Sequence, residues 1–362
     1  MKQAELIAPL FEIEGSVRSI APIGNGHIND TLRVATDRTS YILQRINHSI
    51  FGDVALLQQN TVRITEHIRG ILRQRGEKDI DRKVLTVVPT KDGKTFVKDG
   101  ENYWRMTLEI GNSTSYDTLT PPLAKATGAA FGDFQKMLSS IPEGSIGATI
   151  ENFHNIAFRI GQLNDALKSD PAGRAAGVRE LSEALLSRSG QMLFAERLNA
   201  QGLMPKRITH CDTKVNNVLF DRDSGELLCV IDLDTTMPGY VLADYGDFIR
   251  TAGCTAAEDE PDTSKIGFAQ DIFESFTEGY LCSAAEFLTE CEKDNLARGA
   301  ALMTYMQAVR FLTDYIAGDT YYKIAYPEHN LVRARAQYAH LLGIESRLPE
   351  MQRFIDNCLN NL

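Results

Sequence analysis

An aspartate, an asparagine and a second aspartate are spaced along residues 207–235 in an order that suits phosphoryl transfer. His210, Asp212 and Asn217 form a His-x-Asp-x-x-x-x-Asn box, and Asp232 follows after two apolar runs joined by a turn. In the kinase pattern the loop Asp accepts a hydroxyl proton, while the Asn and the later Asp bind metal. Mg²⁺ prefers such oxygen ligands and accepts further ones from phosphates. The spacing therefore predicts Asp212 as the catalytic base and Asn217 and Asp232 as metal ligands.

The two apolar runs, VNNVLF and LLCVID, are β-type and are separated by a turn at residues 221–225. A hairpin of this kind returns Asp232 to the side of Asn217. The same residues also fit an ordinary loop, with a chance His-x-Asp box and with Asn217 and Asp232 as turn or cap residues. The order of box, hairpin and trailing Asp favours catalysis.

The preceding part of the chain, residues 13–110, is rich in β-type runs and contains one helix. Between the first two runs lies PIGNGHINDT, in which Gly24 and Gly26 would let a hairpin backbone approach phosphates closely. The full G-x-G-x-x-G is missing, because Asn29 stands where the third glycine would fall. A common tight turn is the alternative interpretation.

A later strand, SYILQRIN, carries Gln44 where kinases place the phosphate-binding lysine of their V-A-I-K strand. Arg45 should point to the opposite face, since strand side chains alternate. Either Gln44 donates a neutral hydrogen bond to a phosphate, or another group supplies the charge.

Helical spacing of apolar residues predicts a helix over residues 51–72, with Asp53 as its cap. Asn60 of this helix is the expected partner of Gln44. Glu66 has no lysine to pair with and is expected on the solvated surface. VLTVVPT, TFVKDG and NYWRMTLEI are then expected to extend the sheet.

The fold class that these patterns predict is α+β, with two lobes of the protein-kinase type. The N-terminal nucleotide-binding lobe, residues 1–110, would hold a small antiparallel sheet and one main helix. Residues 111–122, rich in Gly, Ser, Thr and Pro, would be the hinge, and the nucleotide base would hydrogen-bond the backbone near Glu109 and Ile110. Residues 123–362 would form a larger, mainly helical lobe.

Helices in that lobe are expected over residues 123–138, 150–167, 178–198, 267–283, 284–317 with a break near Asp294, and 329–360. Asp244 and Asp247 lie at the head of a further helix, where one could cap it and one could brace the catalytic loop by accepting its backbone N–H groups. The acidic residues 258–262 are expected to be solvated.

Residues 309–337 mix Arg310 and Tyr321 with Asp314, Asp319 and Tyr322. Planar groups stack on sugar faces, while Arg and Asp bond hydroxyls, so this composition suits a sugar-binding wall. Ordinary helix packing with surface ion pairs explains the composition equally well.

Bulk properties narrow the class of partner. The chain of 362 residues has a net charge of −10 and 43% hydrophobic residues, which is typical of a globular protein. Its acidic balance argues against nucleic acid or an anionic membrane as the main partner. No apolar run is long enough to span a bilayer, no signal peptide is apparent, and the six cysteines lack pairing motifs. A cytoplasmic location is expected, and no obligatory protein partner is inferred.

HCDTKVNNVLF followed by VIDLDT resembles the aminoglycoside phosphotransferase and choline kinase superfamily, which shares the protein-kinase fold. Further stretches resemble its N-acetylhexosamine 1-kinase group: GHIN with YILQ, THCDTKVNN with IDLDTTMPG, and RFLTDY with KIAYPEHNLVR. These motifs span nearly the whole chain, and the last is peculiar to the group. The group also has Gln at the strand position, so Gln44 is no argument for an inactive kinase.

The resemblance implies ATP- and Mg²⁺-dependent phosphorylation of the anomeric hydroxyl of N-acetylglucosamine or N-acetylgalactosamine. It implies that Arg310 and Tyr321 contact the sugar and that Lys214 is a catalytic cation near the transferring phosphoryl group. Asp234 could orient Lys214 or a metal-bound water, or cap the following turn.

Two alternatives remain open at this point. Another kinase of the superfamily would act on an amino alcohol, an amino sugar or an aminoglycoside, and residues 258–262 hint at the acidic pocket that an aminoglycoside needs. A pseudokinase scaffold would bind nucleotide only, which Gln44 supports and the base and metal ligands oppose.

Overall fold

A computed structural model describes residues 2–24, 28–142 and 144–362 and divides the chain into two compact units. Unit 1 consists of Met1–Ser115, Ser140–Glu151 and Asn217–Met237. Unit 2 consists of Tyr116–Ser139, Asn152–Asn216 and Pro238–Leu362. The predicted α+β class is confirmed, with an antiparallel sheet in unit 1 and mainly helices in unit 2.

The helices are α1 (Lys2–Ile7), α2 (Val54–Gln74), α3 (Ile80–Lys83), α4 (Pro121–Leu138), α5 (Ile156–Ser169), α6 (Arg179–Met192), α7 (Phe194–Ala200), α8 (Val241–Ala252), α9 (Gln270–Ala284), α10 (Glu290–Lys293), α11 (Leu296–Ala317) and α12 (His329–Asn360). The strands are β1 (Val17–Pro22), β2 (Asp30–Thr36), β3 (Ser40–Ile46), β4 (Val97–Asp99), β5 (Asn102–Leu108), β6 (Ser113–Thr114), β7 (Arg207–Thr209), β8 (Val218–Asp221), β9 (Leu227–Val230) and β10 (Met237–Gly239).

The main sheet of unit 1 is antiparallel, in the order β1-β2-β3-β5-β4. Alternate residues of its central strands, among them Val34, Leu43 and Met106, are fully buried and belong to one core. The other face carries polar side chains such as Gln44 and Arg105, which lie directly opposite each other on β3 and β5. The period of two therefore separates a core face from a polar face.

The predicted cap of helix α2 is confirmed, because the Asp53 carboxylate accepts a hydrogen bond from the Leu56 N–H at 2.9 Å. The helix therefore begins at Val54, three residues after the predicted start. Glu66 is solvent-exposed, as expected. The expected pairing of Asn60 with Gln44 is wrong. Asn60 instead donates to the carbonyl of Gly147 at 2.8 Å and accepts from its N–H at 3.2 Å.

The run VLTVVPT does not form a further strand. Only isolated bridges occur there, from Val87 to Thr107 and from Thr90 to Phe11. Pro89 lacks the N–H that a ladder requires, which explains why the pairing is interrupted.

Each segment predicted to be helical in residues 123–362 contains a helix, and α12 begins and ends at the predicted residues. The helix expected from residue 150 begins only at Ile156, and the segment expected from residue 284 becomes helical again only at Glu290. The segment expected over residues 178–198 is divided at Leu193 into α6 and α7. Helices α4 and α9 pack with their backbones nearly touching: a Cβ added at Gly279 would lie 1.9 Å from the Lys125 carbonyl oxygen. Small residues are therefore required at this contact.

Among the described residues, none of the helices is both long and apolar enough to cross a membrane.

Candidate active site

The predicted hairpin is present in unit 1 and brings two of the site residues together. Strands β8 and β9 pair with Val218 opposite Val230, and the Ile231 N–H donates to the Asn217 carbonyl oxygen at 2.9 Å. Asp232 follows directly and has a φ of 60°, a left-handed conformation that is rare for a residue with a side chain. Such a conformation persists where the surrounding structure imposes it, and it is concentrated at functional sites.

Asn217 and Asp232 offer an amide and a carboxylate oxygen to a metal ion. Within the described ranges, no group of three or more His, Cys, Asp or Glu side chains could hold a metal ion unaided. Two protein oxygens are a donor set that suits Mg²⁺, which takes its remaining ligands from water and from substrate phosphates. The residues present therefore fit the predicted ion.

Asp234 lies two residues further on and is buried in a polar network of unit 1. Its carboxylate accepts both Nη groups of Arg105, with Nη2 at 2.9 Å from Oδ2, and the amide of Asn29 at 2.7 Å. Its backbone carbonyl accepts the Thr149 hydroxyl at 2.8 Å. The side chain thus bonds Arg105 and Asn29 within unit 1, and the roles suggested for it toward Lys214 or a metal-bound water stay predictions.

Arg105 is the cation that lies beside Gln44. Its Nε donates to Gln44 Oε1 at 2.9 Å, and Gln44 Nε2 donates to the Thr31 hydroxyl at 3.1 Å. Burial lowers the pKa of Arg105, but the charges of Asp234 and, more weakly, Asp232 outweigh it, so the pKa is raised. The buried positive charge next to Gln44 in unit 1 therefore belongs to β5.

Sequence reasoning missed Arg105. A signal was present, since Arg105 stands between Trp104 and Met106 in a strand of buried residues. A charged residue buried in a strand needs a partner of opposite charge. The sequence alone does not show where that partner comes from.

The other residues predicted to bind nucleotide also belong to unit 1. Gly24 follows β1 with a φ of 70°, which favours glycine, whereas Gly26 lies outside the described residues. The Glu109 carboxylate pairs with Arg33 at 2.8 Å. The Ile110 carbonyl accepts the Ser113 hydroxyl at 2.7 Å. Their roles toward a nucleotide stay predictions.

In unit 2, the candidate base forms an ion pair with the candidate cation. Lys214 Nζ lies 2.5 Å from Asp212 Oδ1. Burial lowers the pKa of Lys214, but Asp212 and Asp247 outweigh it and raise the pKa, so the amine stays protonated. A protonated amine beside Asp212 restricts the orientation of the carboxylate, and the role of Lys214 toward a phosphoryl group stays a prediction.

Asp244 fixes the backbone that carries Asp212. Its carboxylate accepts the N–H groups of His210 and Cys211, both at 2.7 Å, and its carbonyl accepts the Thr213 hydroxyl at 2.5 Å. The prediction that one of the two aspartates braces the loop is confirmed. Asp247 does not cap the helix and instead pairs with Arg250 at 2.8 Å.

Arg310 of α11 lies among aromatic rings of unit 2. Its guanidinium carbon is 5.5 Å from the centre of the Phe153 ring, 5.8 Å from Tyr321 and 5.5 Å from Tyr322. Nη1 donates to Gln307 at 3.3 Å. No carboxylate in the described part of the chain pairs with Arg310. The structure therefore brings the two predicted sugar-binding residues together.

Asp314 holds the segment that carries Tyr321. Its carboxylate accepts the backbone N–H groups of Thr320, Tyr321 and Tyr322 at 2.8 to 2.9 Å, and the Asn330 amide at 2.9 Å. These charge-assisted bonds fix the loop after α11 relative to Arg310, one helical turn before Asp314.

The acidic residues 258–262 do not form an open acidic pocket. Glu258 pairs with Arg250 at 3.0 Å, and Asp259 contacts His329 at 3.1 Å. Glu260 and Asp262 lie 3.6 and 3.7 Å from Lys265. Because each carboxylate faces a basic side chain, this segment offers little uncompensated negative charge.

Residues 19–276 match the sequence profile of the phosphotransferase enzyme family. The chain belongs to this family. The matched range includes Asp212, Asn217 and Asp232.

Solved structures show the same fold at low sequence identity. An aminoglycoside phosphotransferase from Alicyclobacillus acidocaldarius has a TM-score of 0.65 at 12% identity, covering 98% of this chain and 96% of that one. A spectinomycin phosphotransferase solved with ADP and its antibiotic has a TM-score of 0.57 at 14% identity, with 96% and 98% covered. The choline kinase of Cryptosporidium parvum has a TM-score of 0.57 at 13% identity, with 94% and 92% covered. The fold of this family member is thus that of small-molecule kinases.

Proposed function

We propose that this phosphotransferase uses ATP and Mg²⁺ to phosphorylate the anomeric hydroxyl of an N-acetylhexosamine, either N-acetylglucosamine or N-acetylgalactosamine. The observation that carries the proposal is the setting of Arg310 against Phe153, Tyr321 and Tyr322 without a carboxylate partner among the described residues. Such a wall combines aromatic faces with guanidinium donors, which suits a neutral, oxygen-rich ring.

The same wall disfavours the cationic acceptors of related kinases. A choline site requires aromatic faces and acidic groups that are free to receive a cation. Here the protein's own Arg310 lies against those aromatic faces. An aminoglycoside would require uncompensated carboxylates, whereas Glu258 and Asp259 both contact basic side chains.

In the proposed reaction, Asp212 orients the anomeric hydroxyl and accepts its proton while the sugar oxygen attacks the γ-phosphorus of ATP. The new bond joins the anomeric oxygen to phosphorus, and the bond between the γ-phosphorus and the bridging oxygen of ADP breaks. An anomeric hydroxyl is more acidic than an ordinary alcohol, so a carboxylate suffices as base. Lys214 holds the carboxylate in place and balances negative charge near the reacting groups.

Asn217 and Asp232 would hold Mg²⁺, which neutralises phosphate charge when it is bound. Arg105 and Asp234 would position the backbone that presents Asp232, since Asp234 is tied into unit 1 on both its side chain and its carbonyl. Gly24 and Gly26 would cover the phosphates, and the backbone near Glu109 and Ile110 would bond the base. We place the reaction in the cytoplasm, where ATP and free thiols coexist.

Measuring ADP release across a panel of acceptors tests the proposal. The panel contains both N-acetylhexosamines, both free hexosamines, choline, ethanolamine and an aminoglycoside. We expect turnover with the N-acetylhexosamines at a kcat/KM far above the other acceptors, and ³¹P NMR should identify an anomeric phosphate. The methyl glycoside of N-acetylglucosamine is the matched control, because its anomeric oxygen is blocked.

Phosphorylation of the methyl glycoside would show that another hydroxyl is the acceptor. Preferential turnover of choline or the aminoglycoside would show that the enzyme is a choline kinase or an aminoglycoside kinase instead. Nucleotide binding without turnover of any acceptor would favour a scaffold.

A further inference from the structure

His154 of unit 2 has a polar atom for which the protein provides no partner. Its Nδ1 is buried and makes no hydrogen bond within the described residues. The ring stacks on Phe153, with 4.5 Å between ring centres and 19° between planes. A buried polar atom left unpaired costs about 1–3 kcal/mol, so its retention calls for an explanation.

His154 lies next to the rings around Arg310, because Phe153 both stacks on His154 and lies 5.5 Å from the Arg310 guanidinium carbon. The charges of Arg310, Arg159, Asp212 and Arg250 all act on its imidazole. Burial, together with the nearby arginines, lowers the pKa of His154 to about 3. The imidazole is therefore neutral in the physiological range and keeps one N–H to donate.

Arg159, near the start of α5, also has a buried polar atom without a hydrogen-bond partner among the described residues. Its Nη1 donates to Gln162 at 2.9 Å and its Nη2 to the Phe153 carbonyl at 3.1 Å, whereas its Nε is buried without a partner. No carboxylate in the described ranges pairs with it. Burial lowers the pKa of Arg159, and the positive charge of Arg310 lowers it further.

A ligand with oxygen atoms that accept hydrogen bonds would satisfy these groups together. An amide carbonyl oxygen has two lone pairs and no positive charge, so it suits two donors in a cationic environment. A free amine, which is protonated at neutral pH, would be repelled by Arg159 and Arg310.

We propose that His154 and Arg159 form the subsite that recognises the N-acyl group of the acceptor, by donating hydrogen bonds from Nδ1 and Nε to its carbonyl oxygen. This inference rests on the proposed N-acetylhexosamine kinase function and adds to it the residues that distinguish the acylated sugar from the free amine. The discrimination is then a property of unit 2 and does not involve the residues predicted to bind nucleotide.

His154→Phe, His154→Asn and Arg159→Met test the subsite. Phenylalanine keeps the stacking on Phe153 but removes the donor, whereas asparagine places an amide near the position of Nδ1. Lys168→Met is the matched control, because it removes a cation from an exposed position of the same helix α5.

We expect the KM for the N-acetylhexosamine to rise about tenfold in His154→Phe and in Arg159→Met, as the loss of one hydrogen bond implies. The KM for ATP should stay at its wild-type value, and the preference for the acylated sugar over the free hexosamine should fall by a similar factor. His154→Asn should recover part of the affinity. Lys168→Met should behave as wild type.

A solely structural role for His154 predicts a different outcome. Both KM values would then change with the melting temperature, and asparagine would not rescue. The inference is overturned if wild type phosphorylates an N-acetylhexosamine while His154→Phe and Arg159→Met keep the wild-type acceptor KM and preference. If wild type instead prefers a different acceptor, the proposed function fails and the acyl-group subsite fails with it. If His154→Phe does not fold, Arg159→Met and His154→Asn decide the question.

Discussion

Arg105 and Asp234 form a two-point ion pair inside unit 1, with side chains that are 7% and 3% exposed. Arg105 also donates to Gln44, for which the sequence predicts the position of the usual strand lysine. The pair joins the sheet to the segment that follows Asp232. The positive charge beside Gln44 therefore comes from the neighbouring strand and is paired with a carboxylate.

Replacing only one partner of this ion pair should lower the free energy of unfolding far more than replacing both partners. Arg105→Met leaves Asp234 buried and unpaired, so we expect a loss of about 3–5 kcal/mol in the free energy of unfolding. The double variant Arg105→Met with Asp234→Leu should recover much of that loss. Urea unfolding of both variants measures the difference. Equal losses of stability in the single and the double variant would show that Arg105 and Asp234 do not depend mainly on each other.

Asp212→Asn should lose most of kcat, by about 10²–10⁴-fold, because the amide cannot accept the acceptor's proton. The affinity for the sugar should change only modestly, since the amide has nearly the same shape. Steady-state kinetics with calorimetric titration of the sugar separates the two quantities. Near-normal turnover would remove Asp212 from the role of base.

Lys214→Ala should reduce turnover more than Arg45→Ala. Lys214 lies 2.5 Å from Asp212, and its removal frees the candidate base and takes away a nearby positive charge. Arg45 pairs with Asp30 at an exposed position near the end of its strand, where an ion pair contributes little. Parallel measurements of kcat in the two variants check the order, and the reverse order would refute the assignment of Lys214.

Asp314→Asn should impair acceptor binding selectively. The change weakens the charge-assisted bonds that hold the backbone of Thr320, Tyr321 and Tyr322, so the loop beside Arg310 loosens. We expect a several-fold increase in the acceptor KM at an unchanged KM for ATP. Asp165→Asn, an exposed position on α5, serves as control, and parallel increases in both KM values would indicate general destabilisation instead.

His340 should make the fold sensitive to acid. Burial lowers the pKa of His340 from 6.5 to about 4, and its Nε2 has no partner within the described residues. Below pH 6.5 the unfolded chain binds a proton that the folded one does not, so stability falls by about 1.4 kcal/mol per pH unit until pH nears 4. This contribution is constant above pH 6.5.

When the pH falls from 7.5 to 5, the free energy of unfolding of His340→Phe should therefore decrease by about 2 kcal/mol less than that of wild type. Urea unfolding at the two pH values provides the measurement. His48→Phe, at an exposed position, controls for the substitution itself. An identical pH response of wild type and His340→Phe would show that His340 does not carry the acid sensitivity.

The amino-acid sequence by itself determined the features that depend on local spacing. The box from His210 to Asn217, the return of Asp232 by a hairpin and the start of α2 at Asp53 each depend on residues close together in the chain. The periodicity of apolar residues likewise predicted both end residues of α12, because apolar residues recur every three to four positions along the buried face of a helix. These local patterns predicted the fold class that the structure confirms.

Only the tertiary structure decided which polar side chains are partners. Arg105 and Asp234 are 129 residues apart, and Asp244 reaches back 34 residues to the His210 N–H. Asn60 and Gln44 were a reasonable pair by residue type, but Gly147 and Arg105 lie in those positions instead. The reason is physical: strand order and helix packing bring distant residues together, and buried polar groups bond whatever donor or acceptor that packing places within reach.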